Sequence, residues 1–148
     1  MRHVQNAVFV HVVWATWDRL PLLVGDVERN AYRAIEAKCG ELSAEVLALG
    51  GIEDHVHLLV RLPATLAIAD LVKNVKGTSA HLIAQHCHPN QFFKWQGGYA
   101  AFSVSVGHLS RVTRHIAQQR EHHAANTLIP ALELPPPAAA TANGEQPA

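Results

Sequence analysis

Two short stretches hold side chains that could do chemistry together. In "DHVH" (54–57), His55 and His57 flank Val56. Alternate residues of a strand share a face, so the two imidazoles would stand about 7 Å apart on one side while Val56 points into a core. Such a pair can converge on a divalent metal, although the same spacing also suits a strand with no site. The second stretch, "VTRHIAQQREHH" (112–123), reads as a helix. At roughly 100° per residue His115, Gln119 and His122 fall within about 60° of one another. His115 joined to His55 and His57 would give three histidines with an open position, the style of a zinc hydrolase or a plain metal-binding module acting on something other than DNA. "QHCHP" (85–89) is a weaker rival, two histidines around Cys87 with no second pair at zinc spacing. It reads equally as a helix end whose histidines favour the C-terminal dipole.

Cations beside aromatics form a further group. Lys73 and Lys76 fall on the polar side of one expected helix, Arg111 and Arg114 on another. These are either a solvated face or contacts to phosphate. Arg19 follows Trp17, and Lys94 precedes Trp95, a combination that stacks bases and holds phosphates, unless the tryptophans belong to the core. Nucleophile motifs of the GxSxG kind, phosphate loops and dinucleotide fingerprints are absent from the sequence. The tyrosines are Tyr32 and Tyr99 alone.

Composition sets the frame. The 148 residues suffice for a core without staples, and 49% hydrophobic with 16% charged content is ordinary globular usage. Twelve basic and twelve acidic residues give zero formal charge, which argues against coating nucleic acid by bulk electrostatics and leaves a local basic groove open. Eleven histidines are the unusual feature. No apolar run reaches the ~18–20 residues of a membrane span. Cys39 and Cys87 read as reduced thiols of a cytoplasmic protein.

These side chains must be held by a β-α-β-β-α-β-α order. "AVFVHVVWAT" (7–16) is a strand rich in β-branched residues, interrupted by His11. Residues 26–40 form a helix with Asp26 as N-cap and Gly40 as stop. "AEVLALGG" (44–51) and "HVHLLVRLP" (55–63) form a hairpin. Residues 68–86 carry an apolar helical stripe with Gly77 as a kink point, and 101–106 alternate as a fourth strand. Leu109 to Asn126 is the last helix. The first six elements make an α+β, ferredoxin-like βαββαβ antiparallel sheet with helices on one face, and the C-terminal helix is extra. Residues 1–128 are expected as one domain, and 129–148 as a proline- and alanine-rich disordered tail.

In chain order, "HVVWATWDRLPLL", "LALGGIEDHVHLLVRLP", "IADLVKNVKGTSAHLI", "WQGGYAAFSVSV" and "HIAQQREHH" together resemble the single-tyrosine transposases of small insertion sequences. These are the IS200-like family, and the resemblance is especially to its REP-associated branch, within the histidine-hydrophobe-histidine (HUH) endonucleases. The resemblance implies a homodimer acting on single-stranded hairpin DNA, nicking and rejoining strands in DNA transposition. It implies Mg²⁺ or Mn²⁺ held by His55, His57 and Gln119. The family's last-helix motif, tyrosine-isoleucine-x-x-glutamine, reads "HIAQQ" here, so His115 stands at the catalytic tyrosine's position. A chain of this kind either binds hairpin DNA without nicking it, or uses His115 itself as nucleophile. Arg19, Lys73, Lys76, Trp95, Tyr99, Arg111 and Arg114 are the expected DNA contacts. His122 and His123 close the motif with no role that the residues assign.

Overall fold

The computed structural model describes residues 5–87 and 91–119. The four strands β1 (Phe9–Ala15), β2 (Glu45–Ile52), β3 (His55–Arg61) and β4 (Ala100–Val104) form one antiparallel sheet in the order β2-β3-β1-β4. Helix α1 (Gly25–Glu41) joins β1 to β2, α2 (Ile68–His86) joins β3 to β4, and α3 (Leu109–Ala117) follows β4. This is the expected ferredoxin-like α+β order with its additional helix.

The sheet buries both faces, and side-chain parity assigns each residue to one of them. Val10, Val12 and Trp14 of β1 and Val56, Leu58 and Val60 of β3 pack with Ile35, Leu71, Val75 and Ile83 under α1 and α2. The opposite face carries Phe9 and Leu59, which pack with Val104, Val112 and Ile116 beneath α3. Burial of Val112 and Ile116 contributes about 1.5–3 kcal/mol each, which docks this helix on the sheet. The central strands are therefore apolar almost throughout, and the polar side chains they do bury mark the α3 face.

Element ends depart from expectation in three places. Helix α1 starts at Gly25 after Val24, with no side-chain cap, so Asp26 lies inside the first turn rather than at the N-cap. There its carboxylate still favours the positive end of the helix dipole, and it pairs with Arg29. Gly40 does not stop the helix, which runs to Glu41; the reversal instead uses Ser43 at φ 60°. Helix α2 runs unbroken through Gly77. The last helix is described to Ala117, with Gln118 as its cap. Its expected continuation to Asn126, the tail 129–148, His88, His122 and His123 lie outside the described residues.

Gly50 decides how closely α3 can approach. It sits opposite His57 across the β2–β3 pairing. A β-carbon there would stand 2.7 Å from the Ile116 carbonyl oxygen. Its absence lets the α3 backbone rest on β2, so His115 and the residue one turn later lie over the histidines of β3.

Candidate functional site

His55 and His57 occupy alternate positions of β3 and point together to the α3 face, both fully buried. Their rings lie 5.0 Å apart, edge to face. His115 of α3 is 2% exposed, with its ring 5.7 Å from that of His57. Gln119, 1% exposed, completes the group. Its amide Nε2 donates to His115 Nε2 at 2.9 Å and approaches the His115 carbonyl at 3.3 Å. Its Oε1 stands 3.3 Å from His55 Nε2. An amide nitrogen only donates, so His115 Nε2 is the acceptor in this pair.

Asp54 fixes the other side. Its Oδ1 lies 2.7 Å from His55 Nδ1, so that nitrogen donates and Nε2 keeps its lone pair. Arg19 approaches the same Nδ1 at 3.4 Å. Both atoms bear hydrogen, so this is a packing contact, and the guanidinium's electrostatic partner is Asp54 Oδ2, 3.8 Å from Nε. With His55 as the neutral Nδ1–H tautomer, its Nε2 and Gln119 Oε1, 3.3 Å apart, are both acceptors, a pairing that a cation between them would satisfy. Two imidazoles and an amide oxygen are therefore a donor set that fits a divalent metal. No group of three His, Cys, Asp or Glu is arranged to hold a metal among the described residues. His115 Nε2 is turned to Gln119, so the geometry lends nothing to a three-histidine zinc site.

Arg19 reaches this position through strained backbone. Asp18 and Arg19 have φ of 52° and 51°, the left-handed region that costs an L-residue about 1–2 kcal/mol. The turn is held by Asp18 N–H donating to Gln96 Oε1 at 2.9 Å and by Thr16 Oγ1 donating to the Leu20 carbonyl at 2.6 Å. It sets the guanidinium at the rim of the histidine cluster, with the side chain 24% exposed.

The other expected contacts separate. Lys73, Arg111 and Arg114 are exposed. Tyr99 is exposed, but the alternation along β4 puts it with Ala101 and Ser103, on the face away from His55 and His57. Trp95 is corrected to a core residue. Its ring packs edge-on against Trp14 and Phe93, and Nε1 donates to Ser79 Oγ at 2.9 Å. Lys76 is likewise structural: Nζ donates to the carbonyls of Gln96 at 2.6 Å and Gly98 at 3.1 Å, and burial lowers its pKa. The pairing of cation with aromatic does occur one step away, where Lys94 Nζ lies 4.0 Å above the Trp17 ring.

Three contributors were not legible as site residues. Asp54 and Gly50 adjoin the histidines in the hairpin. His11, buried in the middle of β1, places Nε2 2.8 Å from His57 Nδ1. Its only signal is a lone polar residue inside an apolar strand. A pocket of about 310 Å³ opens beside Gln119, walled by Glu28 and Tyr32 of α1 and by Gly50, Gly51 and Gln118. No helix among the described residues is long and apolar enough to cross a membrane. Cys39 and Cys87 are free thiols, and burial pushes that of Cys39 up to about 11.

Comparison with known proteins bears on the fold and the family. The ISDra2 transposase TnpA of Deinococcus radiodurans is 27% identical over 117 residues, covering 75% of this chain and 83% of that one. A crystal structure described as that of a transposase from Deinococcus radiodurans R1 superposes with a TM-score of 0.61 at 27% identity, over 80% of this chain and 98% of the other. A REP-associated tyrosine transposase bound to a REP hairpin shares the fold, with a TM-score of 0.63 at 13% identity over 83% and 74% of the two chains. Residues 4–119 match the family described as transposase IS200 like, so this chain belongs to the IS200-like transposase family.

Proposed function

We propose that the protein binds single-stranded hairpin DNA of the kind cut in transposition. It sets a DNA phosphate at a divalent metal site of His55, His57 and Gln119, and is impaired in strand nicking because His115 stands where the nucleophilic tyrosine is expected. The observation that carries this is the Gln119 amide, whose Nε2 is spent on His115 Nε2 at 2.9 Å while Oε1 faces His55 at 3.3 Å. The His115 lone pair that would attack phosphorus is thereby engaged, and its ring is buried. His115 then serves as an orienter of Gln119 rather than as a nucleophile.

The cation is taken as Mg²⁺ or Mn²⁺ from the family resemblance; two imidazoles and one amide oxygen would hold either without selecting it over other divalent ions. When bound, such a cation polarises the phosphate and stabilises a leaving 3′-oxygen. Asp54 holds the His55 tautomer, and Gln119 is aimed by His115. Arg19 at the rim offers a guanidinium to a phosphate oxygen. The exposed cations Lys73, Arg111 and Arg114 add sequence-independent attraction, and Trp17 under Lys94 offers a surface for a base. The pocket beside Gln119 gives an unpaired strand room at the site. Strands β2 and β4 are the sheet edges, and we assign one of them to a homodimer contact. Residues 1–128 are taken as the acting unit, working in the cytoplasm, where free Cys39 and Cys87 stay reduced.

Binding and nicking of a DNA hairpin with a single-stranded flank, in Mn²⁺, tests the reading. The wild-type chain is expected to bind with salt-sensitive affinity and leave the strand intact. His115→Tyr is expected to gain nicking and a covalent protein–DNA adduct. Efficient metal-dependent nicking by the wild type, or an acid-labile adduct on His115, would overturn the impaired reading. Absence of any salt-sensitive binding would overturn the DNA reading itself.

A further inference from the structure

We propose that His11 is a positioning residue for the metal site: it fixes the tautomer and ring orientation of His57. The proposal rests on the reading of His57 as a ligand. His11 lies on β1 and His57 on β3, and the antiparallel register (Val13 opposite His57, His11 opposite Leu59) brings their rings together on the α3 face. The ring centroids are 5.0 Å apart with planes inclined by 26°, and His11 Nε2 lies 2.8 Å from His57 Nδ1, so the rings meet nitrogen to nitrogen. Phe102 of β4 packs on the other side of His11, with ring centroids 5.9 Å apart. Both histidines are fully buried, so neither ring can turn without displacing neighbours.

One proton lies between these two nitrogens, and its location decides what His57 can do. When His57 carries it, Nδ1–H donates to His11 Nε2 and the lone pair of His57 Nε2 is available to a cation. When His11 carries it, neutral His57 has its proton on Nε2, and that nitrogen cannot ligate. The site therefore needs His11 as acceptor, neutral and protonated at Nδ1. Outer partners of ligating histidines generally work this way, and their removal typically weakens metal affinity 10–100-fold. Asp54 performs the equivalent task for His55 with a carboxylate, which only accepts. In His11 the protein uses a group that can also donate, so the second ligand is competent in just one of two proton arrangements.

Calorimetric titration of the full chain with Mn²⁺ tests this. His11→Phe keeps the aromatic packing and removes the acceptor; a 10–100-fold weaker Mn²⁺ affinity is expected. His11→Gln returns an accepting oxygen and should recover most of that loss. Ile83→Ala, in the core under α1 and α2 on the opposite face, should lower stability and leave Mn²⁺ affinity at the wild-type value, which separates positioning from general loosening. Nitrogen-15 NMR of the wild type with Mg²⁺ reads the tautomer without any substitution and should find His57 protonated at Nδ1 and bare at Nε2. Unchanged affinity in His11→Phe, or a proton on His57 Nε2 in the Mg²⁺-loaded chain, overturns the proposal. A wild-type chain that binds neither metal overturns the ligand reading beneath it, a different outcome from equal binding by both chains.

Discussion

The closest test of the site's architecture is Gly50→Ala, which touches no proposed ligand. The added β-carbon would stand 2.7 Å from the Ile116 carbonyl oxygen and 3.2 Å from Ile116 Cγ2. Ordinary contact begins near 3.4 Å, so α3 must retreat from β2 by roughly 0.7 Å or β2 must bend; overpacking of this kind costs about 1–3 kcal/mol. Ile116 lies three residues before Gln119, so the retreat carries the amide with it and widens its 3.3 Å approach to His55 Nε2. Metal sites tolerate displacements of about 0.2 Å in ligand distance, so a shift of roughly 0.7 Å takes Gln119 out of the set. The expected result is a cooperative fold, less stable by about 1–3 kcal/mol in urea unfolding, with Mn²⁺ affinity down at least ~10-fold. Wild-type Mn²⁺ affinity at reduced stability would refute Gln119 as a ligand carried by α3. Unchanged stability would refute the close α3–β2 contact.

Four further variants separate core from surface and fix a pH dependence. Trp95→Phe removes the indole donor to Ser79 and should cost about 1–2 kcal/mol of stability while leaving hairpin-DNA affinity alone; Lys73→Ala and Arg111→Ala should keep stability and make binding less salt-dependent by about one phosphate each. Weaker DNA binding by Trp95→Phe at full stability would contradict its place in the core. Burial raises the Cys39 thiol from 9.0 to about 11, so the folded chain holds that proton more tightly than the unfolded one. Its contribution is complete below pH 9 and is lost as pH rises toward 11, by about 2 kcal/mol at the upper end. Cys39→Ala should lack that alkaline loss when unfolding is compared across the two pH values.

Much of the fold is legible because periodicity reports it. The β-branched run of β1, the hairpin glycines and the apolar stripe of α2 each state their element, and the ferredoxin-like order follows. Helix ends were less legible, because Asp26 and Gly40 satisfy local capping rules that tertiary packing overrides in α1. The parity of His55 and His57 was readable from one strand. His11 was not, because its contact with His57 spans 46 residues and exists only once the β1–β3 register is set. Trp95 and Lys76 misled for a related reason. A tryptophan beside a lysine, or a lysine on a helix, looks like a nucleic-acid contact until burial turns one into core and the other into a clamp on the 96–98 backbone.

Histidine at position 115 has a specific consequence for the rest of the site. Gln119 must choose which end of its amide faces His55, and oxygen and nitrogen are nearly equal in size. Here the amide nitrogen faces His115 Nε2 at 2.9 Å and the oxygen faces His55 at 3.3 Å, an orientation that a His115 accepting at Nε2 would hold. A tyrosine there presents a hydroxyl at the end of a longer ring, whose oxygen would have to serve both as partner to that amide and as attacking atom. With histidine the first duty is met and the second is absent. Of the proposed metal and phosphate contacts, His55, His57, Asp54 and Arg19 sit on the sheet and its turns, fixed by strand pairing and by the strained turn at 18–19, while Gln119 follows α3. Attack depends on one side chain of a helix docked by a handful of apolar contacts. On the proposed reading, loss of the nucleophile leaves the sheet-borne contacts standing, and His115→Tyr asks whether the scaffold still holds a phosphate where a restored hydroxyl can reach it.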